Sequence, residues 1–134
     1  MKQPSSVLLI DDDEDDGYFF NEALKKLPYK VEFRHDQDSE DALLKLSENG
    51  FNPPDILFLD WNMPKINGRQ CLLALRKMPQ YASVPIIVYS TSNRPELIEE
   101  SRRLGASYFL TKPPVLRELV EQLQNIFSKD WDAK

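Results

Sequence analysis

Three places in this sequence carry groups that could act together on a phosphoryl group or a divalent metal ion. The first is the acidic run Asp11-Asp12-Asp13-Glu14-Asp15-Asp16, which directly follows apolar Val7-Leu8-Leu9-Ile10. The second is Asp60, which closes Ile56-Leu57-Phe58-Leu59 and is followed by Trp61-Asn62-Met63-Pro64-Lys65-Ile66-Asn67-Gly68. The third is Lys112, just beyond Tyr108-Phe109-Leu110. An apolar run stopped by turn residues reads as a buried strand. The carboxyl ends of such strands are where open α/β sheets build their sites. Asp11, Asp12 and Asp60 brought together could not all stay ionised without a cation, because like charges raise one another's pKa. Mg²⁺ answers that need, taking one or two carboxylates and a carbonyl while keeping several waters. The metal and the Lys112 amine would also stabilise a phosphoryl group arriving on Asp60.

The elements that must position these groups alternate along the chain. Strands are predicted at Val7–Ile10, Val31–His35, Ile56–Leu59, Ile86–Tyr89 and Tyr108–Leu110. The first, third and fourth are unbroken apolar runs, as expected for strands covered on both faces. Val31-Glu32-Phe33-Arg34 alternates apolar and polar, the pattern of a half-exposed edge strand. Helices are predicted over Asp16–Leu27, from Ser39 to the residues before Gly50, from Asn67-Gly68, and from Asn93-Arg94-Pro95 to Gly105. The last carries Leu116, Leu119, Val120, Leu123, Ile126 and Phe127 as a wide apolar stripe. Strand–helix alternation repeated in this way implies an α/β protein with a doubly wound parallel sheet and right-handed crossovers. With the second strand at an edge, the order becomes 2-1-3-4-5. The carboxyl ends of the first, third and fourth strands then converge, adding Ser90 and Thr91 to the acids and Lys112.

Bulk properties bound the function. A chain of 134 residues with 41% hydrophobic and 29% charged residues suits one globular domain. We expect a domain over 1–128 and a polar tail over 129–134. A net charge of −5 argues against a direct nucleic-acid partner. The lone Cys71 leaves no internal disulfide and suits a reducing cytoplasm, where it would be a small buried hydrophobe. No apolar stretch reaches membrane-spanning length, so neither a membrane anchor nor a leader is expected, and the location expected is cytoplasmic.

With these residues in place, the chain resembles the receiver domain of a bacterial two-component response regulator, from Val7 to Phe127. The resemblance rests on the acidic pair Asp11 and Asp12, Leu-Asp-Trp-Asn-Met-Pro around Asp60, the strand-final hydroxyl of Ser90, and Lys112-Pro113. Each motif alone is weak; order, spacing and strand context make the set specific. The resemblance implies a flavodoxin-like (βα)5 fold and a non-enzymatic phosphoacceptor switch. Asp60 would take a phosphoryl group from a phosphohistidine on a sensor histidine kinase or a histidine phosphotransfer protein. Asp12, Asp60 and the Asn62 carbonyl would hold Mg²⁺, with Asp11 acting through water. Ser90 and Lys112 would contact phosphoryl oxygens, and Asn62 and Ser92 would influence the slow loss of the group. A cis Lys112–Pro113 bond is implied as well. Phe109 would turn inward as Ser90 moves, although static packing is an equally open reading. The switched face would be the fourth helix, fifth strand and fifth helix, with Arg102, Arg103, Tyr108 and Phe109 exposed to a downstream partner or a second copy. The stretch Ser90-Thr91-Ser92-Asn93-Arg94-Pro95 looks like that of stand-alone receivers paired with phytochrome-type kinases.

This sequence departs from the family pattern at a few positions. Ser90 stands where threonine is commoner, Thr91 where a small residue is usual, and Phe109 lacks a tyrosine hydroxyl. Rival chemistries fit less well. Asp11, Asp13, Asp15 and Glu22 echo a calcium loop, but Asp16 stands where that loop needs glycine. An aspartyl phosphatase would want a second acid where Asn62 stands, and a flavodoxin's phosphate loop would not be acidic. His35 has no nucleophile in sequence reach and reads as a surface residue. A receiver that binds partners without phosphorylation is the remaining alternative.

Overall fold

Alternate residues of each apolar strand face opposite sides of one sheet, which explains why those strands are apolar throughout. The computed structural model describes residues 3–131 and holds five parallel strands in the order β2-β1-β3-β4-β5. They are β1 (Ser6–Ile10), β2 (Glu32–Asp36), β3 (Ile56–Asp60), β4 (Ile86–Ser90) and β5 (Tyr108–Thr111). The helices between and after them are α1 (Glu14–Lys25), α2 (Ser39–Leu46), α3 (Gly68–Arg76), α4 (Pro95–Arg103) and α5 (Leu116–Phe127). This is the flavodoxin-like architecture and strand order expected from the sequence.

Two cores follow from the alternation. Val7, Leu9, Ile56, Phe58, Ile87, Tyr89 and Leu110 meet residues of α1 and α5 on one side. Leu8, Ile10, Leu57, Leu59, Ile86 and Val88 meet α2, α3 and α4 on the other. Phe20 of α1 centres the first core, with ring centroids 4.9 Å from Phe58 and 5.5 Å from Tyr89. A ring buried to this degree typically contributes about 3–5 kcal/mol against alanine. β2 keeps Glu32 and Arg34 in solvent, as an edge strand should.

Several boundaries differ from expectation for identifiable reasons. α1 starts at Glu14 rather than Asp16, because the Asp13 carboxylate accepts from the backbone N–H groups of Asp15 and Asp16 and caps the helix. It ends at Lys25, short of Leu27. β2 begins and ends one residue later than predicted. Asp38, not Ser39, caps α2 by accepting from Asp41 N–H. The buried Ser39 hydroxyl donates instead to Ile66 O at 2.6 Å, tying α2 to the loop after β3. Asn67 and Gln70 form a reciprocal capping box at α3. Among the described residues no peptide bond is cis, so the Lys112–Pro113 bond is trans, contrary to the expectation. Trp131 donates its indole N–H to Ile126 O at 3.0 Å and sets its ring edge-on to Tyr108. Positions 132–134 of the expected tail lie outside the described residues.

Candidate functional site

Backbone pairing brings the expected residues to one rim. Ile10 pairs with Leu59 and Asp60 pairs with Tyr89, so the ends of β1, β3 and β4 are level. Asp11 follows β1 with its backbone N–H donating to Asp36 O, and its Oδ1 accepts from Asp13 N–H at 2.9 Å. Asp60 ends β3. Gly68, at the start of α3, stands so close that a Cβ there would lie 2.5 Å from Asp60 O. Glycine is required at that approach, and it seats the α3 terminus directly behind the acid. Ser90 ends β4, and its carbonyl accepts from Lys112 N–H at 2.8 Å, fixing the backbone from which the lysine rises.

One oxygen each from Asp11, Asp12 and Asp60 lie within 4.8 Å of one another. Asp11 is fully buried and Asp60 is 6% exposed, whereas Asp12 faces solvent. The Lys112 Nζ stands 3.0 Å from Asp11 Oδ2 and 3.5 Å from Asp60 Oδ1. It is closest to Asp16, at 2.6 Å from Oδ2, a residue the sequence reading did not place in the site. Its fourth neighbour is the Tyr89 ring, with a centroid 5.2 Å away. Ser90 is fully buried, and its hydroxyl accepts from Ser92 N–H at 3.1 Å. Asn62 and Thr91 are exposed beside the rim.

The electrostatics are unbalanced. Burial first, and the Asp11 charge second, push the Asp60 carboxyl up to about 7 despite Lys112. Asp11 is also raised, chiefly by burial, against the pull of the Asp13 N–H and Lys112. Burial disfavours the Lys112 charge, but the Asp16 hydrogen bond and the Asp11 and Asp60 charges outweigh it and keep the amine protonated. Asp11 Oδ2 faces Lys112 yet has no aligned hydrogen bond of its own. A buried hard oxygen short of a partner, within a triad of hard oxygens, suits a divalent cation such as Mg²⁺ or Mn²⁺. The buried Cys71 thiol is pushed up to about 12 by desolvation and takes no part.

Other expected residues fall differently. Phe109 is half-buried and packs into the α3–α4 side of the sheet. Tyr108 is also half-buried, under Trp131 and with Lys129 Nζ 5.0 Å from its ring centroid. Arg102 and Arg103 alone of the four named for the α4–β5–α5 face are exposed. His35 is not a plain surface residue: its Nε2 lies 2.7 Å from Asp11 O. A Cβ on Gly17 would sit 1.9 Å from His35 Nδ1, so the ring occupies space that only glycine leaves open. A glycine inside an otherwise regular helix was the one sequence signal for that contact.

Comparison with known proteins gives a consistent result. Residues 7–124 match the family model described as "Response regulator receiver domain". The chain is 30% identical over 129 residues to "Response regulator Rcp1" of Synechocystis sp., covering 93% of this chain and 88% of that protein. It is similar to the crystal structure of a phosphorylated cyanobacterial phytochrome response regulator, RcpA, with TM-score 0.80 and 27% identity over 91% and 90% of the two chains. It is also similar to an Mn²⁺-bound form of Rcp1, with TM-score 0.78 and 28% identity over 92% and 91%.

Proposed function

Because the chain belongs to the response regulator receiver domain family, we propose that it is a phosphoacceptor switch whose acceptor is Asp60 and whose cofactor is Mg²⁺. The single observation that carries this reading is the pairing of a buried, poorly solvated Asp60 with Lys112 at 3.5 Å, beside two further acids. The ionised Asp60 oxygen attacks the phosphorus of a phosphohistidine on a histidine kinase or phosphotransfer protein. A P–O bond forms as the P–N bond breaks, and the electron pair leaves on the imidazole nitrogen, which is protonated from solvent. Asp11, Asp12, Asp60 and the Asn62 carbonyl are the groups that would hold Mg²⁺, Asp11 through water, and the ion would supply two positive charges against the phosphoryl oxygens. Lys112 meets another phosphoryl oxygen as a point charge. The Ser90 hydroxyl, which accepts from Ser92 N–H, has its own proton to donate to a third.

Movement of Ser90 toward the phosphoryl group would draw Phe109 after it and change the α4–β5–α5 face, where a downstream partner or a second copy would read the state. Among the described residues no helix is long and apolar enough to cross a membrane; a cytoplasmic site of action accords with a kinase donor. Incubation with acetyl phosphate and Mg²⁺ tests the reading. Wild type should gain a hydroxylamine-labile phosphoryl mass, Asp60→Asn should gain none, and Asp13→Asn should keep most of it. Equal loss from both variants would mean that the acidic pair is misassigned.

A further inference from the structure

Three carboxylates surround the Lys112 amine, and one of them, Asp16, lies outside the acidic triad of Asp11, Asp12 and Asp60. We propose that Asp16 is a positioning residue that holds the Lys112 amine toward α1 and competes for it with a phosphoryl group on Asp60, so that it limits how tightly the phosphorylated state is held. The inference rests on Asp60 being the phosphoacceptor.

The distances rank the partners of the amine. Asp16 Oδ2 is at 2.6 Å, Asp11 Oδ2 at 3.0 Å and Asp60 Oδ1 at 3.5 Å. A lysine ammonium has three protons to donate, and its two shortest contacts run to acids other than the acceptor. The Asp16 contact is the one with hydrogen-bond geometry, joining residues 96 positions apart. Asp16 owes its place to the Asp13 cap, which starts α1 early and sets Asp16 in the first turn. There the helix dipole favours its negative charge. Tyr89 closes the remaining side of the amine.

Charge counting gives the same direction. Asp11, Asp12, Asp16 and Asp60 bring four negative charges, against one from Lys112 and two from a divalent ion. One negative charge is left over before any phosphoryl group arrives, and the group adds about one more. Neutralising Asp16 removes the leftover charge and frees the Lys112 proton nearest to α1. A phosphoryl oxygen on Asp60 can then take that proton in a short, charge-assisted contact.

Beryllium fluoride, which attaches to a carboxylate oxygen as a phosphoryl mimic, tests this at equilibrium. Its apparent affinity is read at saturating Mg²⁺ from the fluorescence of Trp61, the buried neighbour of Asp60. Asp16→Asn should bind the mimic about threefold to tenfold more tightly, and Asp16→Ser should move the same way. Asp15→Asn, which removes the same charge from the same turn, should stay within about twofold. Unchanged or weaker binding in both Asp16 variants overturns the proposal, as does an equal gain in Asp15→Asn. A wild type that binds no beryllium fluoride and takes no phosphoryl label would instead overturn the phosphoacceptor reading itself.

Discussion

Arg76 and Lys112 are both partly buried cations, standing near opposite ends of β4 and β5, and they are satisfied in opposite ways. Arg76 has neutral partners: Gly105 O at 2.9 Å, Tyr81 O at 2.7 Å, Val84 O at 2.9 Å and Ser107 Oγ at 3.2 Å. Burial lowers its pKa with no carboxylate to offset it. The planar guanidinium uses its fork of donors to bind two chain segments at once, 81–84 and 105–107, the second entered through Gly105, whose φ of 116° favours glycine. Lys112 has charged partners in excess. Neutral dipoles around a cation make a closed structural joint, whereas surplus carboxylates around a cation leave capacity for another ligand. The first arrangement stores rigidity and the second stores affinity.

The comparison breaks most sharply under substitution of the two cations. Lys112→Ala should slow labelling by acetyl phosphate about 10-fold to 100-fold, while Arg76→Ala should leave it within about threefold, both followed by intact mass. Stability should sort the other way at low pH. Arg76→Ala strands buried carbonyls and should cost about 2–3 kcal/mol in urea unfolding at any pH between about 5 and 8. Lys112→Ala should cost little near pH 5, where Asp60 is protonated, and more near pH 8.

A smaller effect sharpens the electrostatic half of the contrast. In the fold, Asp60 holds its proton more tightly than the ordinary value of 3.8, at about 7. Stability from this group is therefore complete below 3.8 and is lost as pH rises to about 7. Metal-free protein should accordingly melt lower at pH 8 than at pH 5, and Mg²⁺ should raise the melting temperature more at pH 8. Asp60→Asn should stabilise the metal-free protein by about 1–3 kcal/mol at pH 8 and much less at pH 5. The smallest expected change belongs to Asp13. Asp13→Ala should cost about 1 kcal/mol as a lost cap, and Asp13→Asn only a few tenths.

The legible parts of this molecule were those written in local pattern. Unbroken apolar runs located β1, β3 and β4, alternation at Glu32 and Arg34 put β2 at the edge, and strand-final positions brought Asp11, Asp60, Ser90 and Lys112 to one rim. What escaped depends on contacts between distant segments or on the offset of a turn. An unbroken acidic run has no periodicity, so nothing in it said that Asp13 would cap α1 and that Asp16 would face Lys112. His35 gave no sign of Asp11, because that contact exists only through the space Gly17 leaves. Nothing in the sequence marked Arg76, since most of its partners are main-chain carbonyls that no side-chain pattern announces. Trp131 sits in a run of polar residues, and its fold back onto Tyr108 buries it only in part.

The most direct test is to find which carboxyl carries the phosphoryl group. After incubation with acetyl phosphate and Mg²⁺, borohydride reduction converts an aspartyl phosphate to homoserine, which peptide mass mapping locates. One homoserine at position 60 is the predicted result; homoserine at position 11, 12 or 16 instead, or none at all, would contradict it.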